Sequence, residues 1–172
     1  MLIIIEGPDK IGKSTLINAL SKKIPCIIIK NCNRPISNDD TNLKKSYQTI
    51  LQFIKQNHKE YNIILDRFYP SQMVYSILRG KDSFKDNWYN DFEKQVAETK
   101  PLYVYCVNQF KTIKERHLLK KDEYIKINQL RMLIRRYDFF YSLTELPKMR
   151  LDLYPPNFDN SLEKLVRLIK NG

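Results

Sequence analysis

The chain is predicted to fold as an α/β protein, with a parallel sheet covered by helices on both faces. Two observations carry this. Short apolar runs alternate with helical patterns from one end of its 172 residues to the other, and that alternation is the signature of strand–helix–strand crossovers. The first run, moreover, ends in glycine and leads straight into a helix, and in such folds ligands gather at the carboxyl ends of the strands.

The elements follow in order. Leu2–Glu6 is an apolar strand stopped by Gly7, and Ser14–Lys23 is a helix with Leu16, Ile17 and Leu20 on one face. Cys26–Lys30 is a second strand after Pro25, and Asn31–Asp40, with its Asn, Pro, Ser and Asp residues, reads as a loop. Thr41–His58 places Leu43, Tyr47, Ile50, Leu51 and Ile54 at helical spacing. Tyr61–Asp66 is a third strand, Pro70–Arg79 and Asn87–Glu98 are helices, and Leu102–Val107 is a fourth strand. Gln109–Leu119 and Tyr124–Leu143 are helices separated by the charged Lys120–Glu123. Met149–Leu153 is a fifth strand, Pro155–Pro156 is expected to break the chain, and Ser161–Ile169 is an amphipathic helix. No internal repeat, low-complexity segment or Gly/Ser linker divides the chain, so one domain is expected over residues 1–172.

Composition narrows the class. Hydrophobic residues make up 42% and charged residues 28%, as in folded globular chains rather than disordered ones. No apolar run approaches the length of a membrane span, and the segment before Gly7 reads as a strand, not a signal sequence. A cytoplasmic protein without a membrane partner is expected. Three cysteines without a CxxC pair suit reduced thiols. His58 and His117 are expected at the surface. The formal charge of +11 attracts polyanions, among which nucleotides and nucleic acids are not distinguished by charge alone.

The chemistry begins at Gly7. Only four glycines occur in the chain, and Gly7 and Gly12 are two of them. Gly7-Pro-Asp-Lys-Ile-Gly12-Lys13-Ser14 fits GxxxxGK[ST]. Glycine allows backbone N–H groups to turn inward around a phosphate, and the following helix points its positive end at the same anion. Lys13 is then expected to reach the β/γ-phosphates of ATP and the Ser14 hydroxyl to ligate Mg2+. The phosphate-binding set is Gly7, Asp9, Lys10, Ile11, Gly12, Lys13, Ser14 and Thr15. A second group lies in "NIILDRFYPSQMVYS". Asp66 ends a strand, where an acid can hold magnesium or its waters, and Arg67 can offer a fork to a second phosphate. Arg131, Arg135 and Arg136 are expected on a solvated helix face, and Tyr137, Phe140 and Tyr141 in the core.

With these residues in view the sequence resembles the thymidylate kinase branch of the nucleoside monophosphate kinases. Glu6–Thr15 matches the family's EGxDxxGKST. Asp66, Arg67, Phe68, Ser71, Val74, Tyr75 and Ser76 follow its DRYxxSxxAYQ with changes at three positions. The resemblance implies a three-layer P-loop kinase fold, with a five-stranded parallel sheet in the order 2-3-1-4-5. It implies ATP as donor and a deoxynucleoside monophosphate as acceptor, dTMP being the family's own. The residues in catalysis would be Lys13, Lys10, Arg67, Asp9 and Arg116. Asp9, Arg67, Phe68, Ser71, Gln72 and Tyr75 would contact the acceptor, with Lys44 and Tyr47 as candidates from the next helix. Ser14 and Asp66 would hold the metal, and Arg116, Lys120 and Lys121 would form a lid near 116–124. A homodimer is a further implication of the family.

The chain also departs from the pattern. It is short between Ser14 and Asp66, where only "NRPIS", with Arg34 and Pro35, echoes the family's base-binding loop. The acid expected near Cys106–Asn108 is absent, Asn108 being the nearest polar residue. A deoxynucleoside kinase, a nucleic-acid-binding ATPase or polynucleotide end kinase, and a non-catalytic nucleotide binder remain as alternatives. The first wants a carboxylate base near the acceptor; the second fits the charge but lacks an added nucleic-acid domain; the intact Lys13, Ser14 and Asp66 argue against the third.

Overall fold

A computed structural model describes residues 1–30, 40–119 and 125–171. Its elements run β1 (Leu2–Glu6), α1 (Lys13–Ser21), β2 (Ile27–Lys30), α2 (Thr41–Asn57), β3 (Ile63–Asp66), α3 (Tyr69–Tyr75), α4 (Asn87–Ala97), β4 (Leu102–Val107), α5 (Phe110–Leu119), α6 (Ile127–Leu143), β5 (Lys148–Asp152) and α7 (Pro155–Asn171). All strand pairs are parallel, in the order β2-β3-β1-β4-β5. The expected fold class and strand order are those observed.

Alternation along the strands makes the three layers. In β1, Leu2 and Ile4 enter one apolar cluster, while Ile3 and Ile5 enter the other. β3 sends Ile63 and Leu65 to the first and Ile64 to the second. β4 does the same with Tyr103 and Tyr105 against Val104 and Cys106. This is the two-residue period of a strand buried on both faces. Helices α2, α3 and α4 and most of α6 cover the first face, which is rich in aromatic rings. Helices α1, α5 and α7 cover the second.

Several local expectations are corrected. Pro155 and Pro156 do not break the chain; they open α7, because the first helical turn needs no N–H donor and tolerates the fixed proline φ. The Pro70–Arg79 helix is α3 followed by a 3-10 turn over Ser76–Arg79, which Gly80 ends at φ 71°. His117 is not at the surface. It is buried, and its Nε2 lies 2.7 Å from the Ile125 carbonyl. Nor is Arg136 on a solvated face: its guanidinium donates to the Met73 and Val74 carbonyls and pairs with Asp82, tying α6 to the end of α3. Tyr137 and Phe140 are core residues and Tyr141 packs at its margin, as their spacing predicts. Among the described residues no helix is long and apolar enough to cross a membrane.

The register positions the chemistry. Ile5 stands opposite Asp66, and Glu6 opposite Tyr105. The carboxyl ends of β1 and β3 therefore lie side by side, and the loops that leave them share one end of the sheet.

Candidate functional site

The Gly7–Thr15 loop is shaped by two positive-φ glycines. Gly7, at φ 144°, lies so close to β4 that a Cβ would come within 2.7 Å of the Cys106 carbonyl oxygen. Gly12, at φ 118°, opens α1. Lys10 also adopts positive φ, at 61°, a conformation that costs a non-glycine residue energy and clusters at functional loops. Lys13 turns back into the loop, where its ammonium donates to the Gly7 and Pro8 carbonyls at 2.8 Å each. Burial, with the Arg67 charge beside it, pushes its pKa down to about 8. Asn108 braces the loop from outside, its amide donating to the carbonyls of Ile11 and Leu153.

Arg67 stands across from this loop at the tip of β3. Its backbone is left-handed, at φ 70°, and its N–H donates to the Ile5 carbonyl. Its guanidinium is held on several sides. Nη1 donates to the Ser71 hydroxyl at 2.8 Å and the Tyr137 hydroxyl at 2.9 Å, while Nη2 pairs with Asp9. The group also lies over the Tyr75 ring, 5.3 Å from its centre. Tyr75 OH donates to Asp9 at 2.9 Å. Burial alone would raise the Asp9 carboxyl, but the Arg67 and Lys13 charges and the Tyr75 hydrogen bond hold it below its ordinary value.

Behind Arg67 lies Glu6, which opens the matched Glu6–Thr15 motif but to which the sequence alone assigns no role. Glu6 is fully buried. Its carboxylate accepts from the backbone N–H groups of Phe68 and Ser71, at 2.6 and 3.3 Å, and from the Ser71 hydroxyl at 2.6 Å. Tyr137 OH donates to it at 3.2 Å. The carboxylate thus caps the first turn of α3 from a different strand, as an N-cap side chain would. Burial pushes its pKa up, against the pull of Arg67 and of these hydrogen bonds. An acid at the end of an otherwise apolar strand was the available signal, because acids are almost never fully buried without partners. Nothing local pointed to Tyr137, which meets Glu6 across 131 residues.

The expected residues divide into two groups. Asp9, Lys10, Gly12, Lys13, Ser14, Thr15, Asp66, Arg67 and Arg116 line one open cavity of about 630 Å3. Arg116 reaches it from α5, its Nη1 donating to the Lys10 and Ile11 carbonyls at 3.2 Å. Ser14 is exposed toward the cavity, and Asp66 sits at the strand tip on its wall. A hydroxyl and a carboxylate are hard oxygen donors of the kind Mg2+ takes, which fits that metal. Ile11 and Gly7 support the loop from the buried side.

The remaining acceptor candidates lie outside this cavity. Phe68 and Tyr47 are buried against each other, their rings 5.2 Å apart edge to face. Lys44 pairs with Asp86 at 2.6 Å and lies over the Trp88 ring. Gln72 is buried and directs its amide toward Asp40 at 3.4 Å. Lys120, Lys121, Arg34 and Pro35 fall outside the described residues.

No protein-family model matches the chain. It is 29% identical over 136 residues to the SPbeta prophage-derived uncharacterized protein YorR of Bacillus subtilis, covering 79% of each chain. The crystal structure of YorR in complex with phosphorylated GDP superposes with a TM-score of 0.77 at 25% identity, over 99% of this chain and 96% of that one. Deoxyadenosine kinase from M. mycoides with bound dCTP superposes at 0.63 with 20% identity, over the full length of both chains. A gluconokinase from Sinorhizobium meliloti superposes at 0.60 with 13% identity, over 99% of this chain and 94% of that one. The fold is that of the P-loop kinases.

Proposed function

We propose that this chain transfers a phosphoryl group from ATP, with Mg2+, to the phosphate of a deoxynucleoside monophosphate. The observation that carries this reading is Arg67. A guanidinium fixed by Ser71, Tyr137 and Asp9 faces the Gly7–Thr15 loop across one cavity. A loop for one phosphate and a fork for another are what phosphate-to-phosphate transfer requires. The nucleotides held by the neighbours are consistent with such ligands: phosphorylated GDP in YorR, and dCTP and dATP in deoxyadenosine kinase. A thymine acceptor rests on the family resemblance alone.

The carboxylates argue for a phosphate acceptor over a sugar hydroxyl. A nucleoside acceptor must lose a proton, which calls for a basic carboxylate at the reacting end. Asp9 is the carboxylate nearest Arg67, and its pKa is held low while Arg67 and Tyr75 occupy its oxygens. Glu6 lies behind Arg67 with its oxygens filled. An acceptor phosphate is already a nucleophile and needs no base.

Catalysis is then positioning and charge stabilisation. Lys13 leaves the Gly7 and Pro8 carbonyls for the donor phosphates. Arg67 orients the acceptor phosphate, and Lys10 supplies a further cation at the loop. Arg116 would leave the Lys10 and Ile11 carbonyls for the transferred charge, while the rest of the expected lid, residues 120–124, lies outside the described residues. Mg2+, held by Ser14 with Asp66 beside it, would neutralise charge on the transferred group.

The test is a coupled ADP-release assay with ATP and Mg2+. It is run across dTMP, dUMP, dGMP, dAMP, dCMP, the matching nucleosides and a 5′-hydroxyl oligonucleotide. Turnover with one or two monophosphates supports the reading. Turnover confined to nucleosides would assign the chain to the deoxynucleoside kinases, and turnover confined to the oligonucleotide would make it an end kinase.

A further inference from the structure

Beside the first turn of α3 lies a second polar cluster that the phosphate chemistry does not use. Arg79, at the end of the 3-10 turn that follows α3, keeps Nε and Nη2 closed to water, yet among the described residues neither has a hydrogen-bond partner. The same holds for the hydroxyl of the fully buried Tyr89. Asp40 stands next to Arg79, its Oδ1 3.7 Å from Nη2. Its other oxygen is 3.7 Å from the Lys81 ammonium, and Gln72 approaches Oδ1 at 3.4 Å. The structural pair Arg136–Asp82 closes to 2.9 Å. This one does not, and a buried guanidinium fork left unfilled is costly.

We infer that Asp40, Gln72 and Arg79 read the base of the acceptor, selecting one whose edge presents two adjacent acceptors followed by a donor: guanine or cytosine. The inference rests on the monophosphate kinase reading above. Its first support is position. Gln72 stands one residue past Ser71, whose hydroxyl holds Arg67. The phosphate end and the cluster therefore share one turn of α3, as the two ends of a single nucleotide require.

Its second support is the order of the groups. Nε and Nη2 form the side-on fork of the guanidinium, and Nη2 is the nitrogen that faces Asp40. Read along the cluster, the protein offers donor, donor, acceptor. Guanine answers with N7, O6 and N1–H, and cytosine with O2, N3 and its amino group. Adenine and thymine each place a donor between two acceptors, so either would leave one arm of the fork against a like group. Guanine also brings its N2 amino group, which meets the second oxygen of Asp40.

The test is titration calorimetry of the full chain with dGMP, dCMP, dTMP and dAMP, and with two analogues that each lack one acceptor, 7-deaza-dGMP and 3-deaza-dCMP. The expected result is that dGMP or dCMP binds roughly ten- to a hundred-fold tighter than dTMP and dAMP. The matching deaza analogue loses most of that advantage, and which analogue does so identifies the base. Arg79→Gln erases the preference among the four. Should that variant not fold, the analogues on the wild-type chain carry the test alone. Equal binding of the four, a preference for dTMP or dAMP, or indifference to both deaza substitutions overturns the inference. Failure of the kinase reading looks different: monophosphates that bind with this preference but release no ADP with ATP and Mg2+.

Discussion

Tyr137→Phe isolates the link between the buried network and Arg67. The substitution keeps the ring, which stacks at 5.9 Å on Tyr105 and meets Tyr75 edge to face at 6.2 Å. It removes only an oxygen that touches Arg67 at 2.9 Å, Ser71 at 2.8 Å and Glu6 at 3.2 Å. A buried hydrogen bond to a charged group contributes about 1.5–3 kcal/mol. Arg67 Nη1 keeps Ser71 and Glu6 keeps its backbone donors, so the loss sits near the low end, at about 2 kcal/mol. For a chain of this size that lowers Tm by roughly 4–8 °C. On the acceptor side, a guanidinium missing one of its anchors gives up about 1.4 kcal/mol of orientation, or roughly tenfold in kcat/KM for the monophosphate. The KM for ATP is expected to stay where it was, because the hydroxyl bonds to Arg67, Ser71 and Glu6 rather than to the Gly7–Thr15 loop. The assays are thermal unfolding and steady-state kinetics with each substrate varied in turn. A lowered Tm with unchanged acceptor kinetics would refute the reasoning, since Tyr137 would then be a core residue that Arg67 does not need.

Other outcomes follow from the same geometry. Lys13→Ala is expected to cut turnover by orders of magnitude with an unchanged circular dichroism spectrum, and unchanged turnover would end the mechanism. Because the Lys13 pKa is pushed down to about 8 from an ordinary value of 10.5, nucleotide binding above pH 8 should take up protons, measurable by calorimetry in buffers of different ionisation enthalpy. By the same linkage the unfolded chain binds the extra proton between about pH 8 and 10.5, so this group makes the free protein more stable as pH rises through that window. A Lys13→Met variant should lose that slope in denaturant melts. Gly7→Ala should destabilise by about 3 kcal/mol or more, since its Cβ meets the Cys106 carbonyl at 2.7 Å on top of the φ strain. Gly12→Ala should cost less, because the nearest atom to its Cβ is a Leu153 methyl at 3.5 Å, and equal midpoints for the two variants would count against that difference.

What could be read in the sequence was local. The strand–loop–helix at Gly7–Thr15 is written in consecutive residues, because the dihedrals of Gly7 and Gly12 and the start of α1 depend on near neighbours. Ser71 and Tyr75 stand four residues apart within α3, so their sharing one side of that helix followed from the same stretch of chain, whereas Arg67 precedes the helix and reaches them through a left-handed backbone. The groups that position them were not legible. Glu6 meets Ser71 across 65 residues and Tyr137 across 131, and only the parallel sheet brings β1 and α6 to the same place. Arg136 likewise carries no mark in its own helix that it will staple α3. Pro155 and Pro156 failed as a break for the opposite reason: the same two residues can end one element or begin the next, and only the neighbouring strand end decides.

The charge of the molecule and the charge of its site are different quantities. The chain carries +11 in all, yet around the cavity Lys10, Lys13, Arg67 and Arg116 face Asp9 and Asp66, with Glu6 buried behind Arg67. An unliganded site holding those cations without the acids would meet like-charge repulsion between Lys13 and Arg67, which adds to burial in depressing the Lys13 pKa. Asp9 and Glu6 relieve that repulsion while no phosphate is present. A phosphate entering the site then competes with Asp9 for Arg67 and with the Gly7 and Pro8 carbonyls for Lys13. Affinity is lowered by those exchanges, and the cations arrive already oriented. The rest of the net positive charge steers polyanions toward the protein over about a Debye length. That part of the attraction should fade with salt, whereas binding inside the buried network should depend on salt far less.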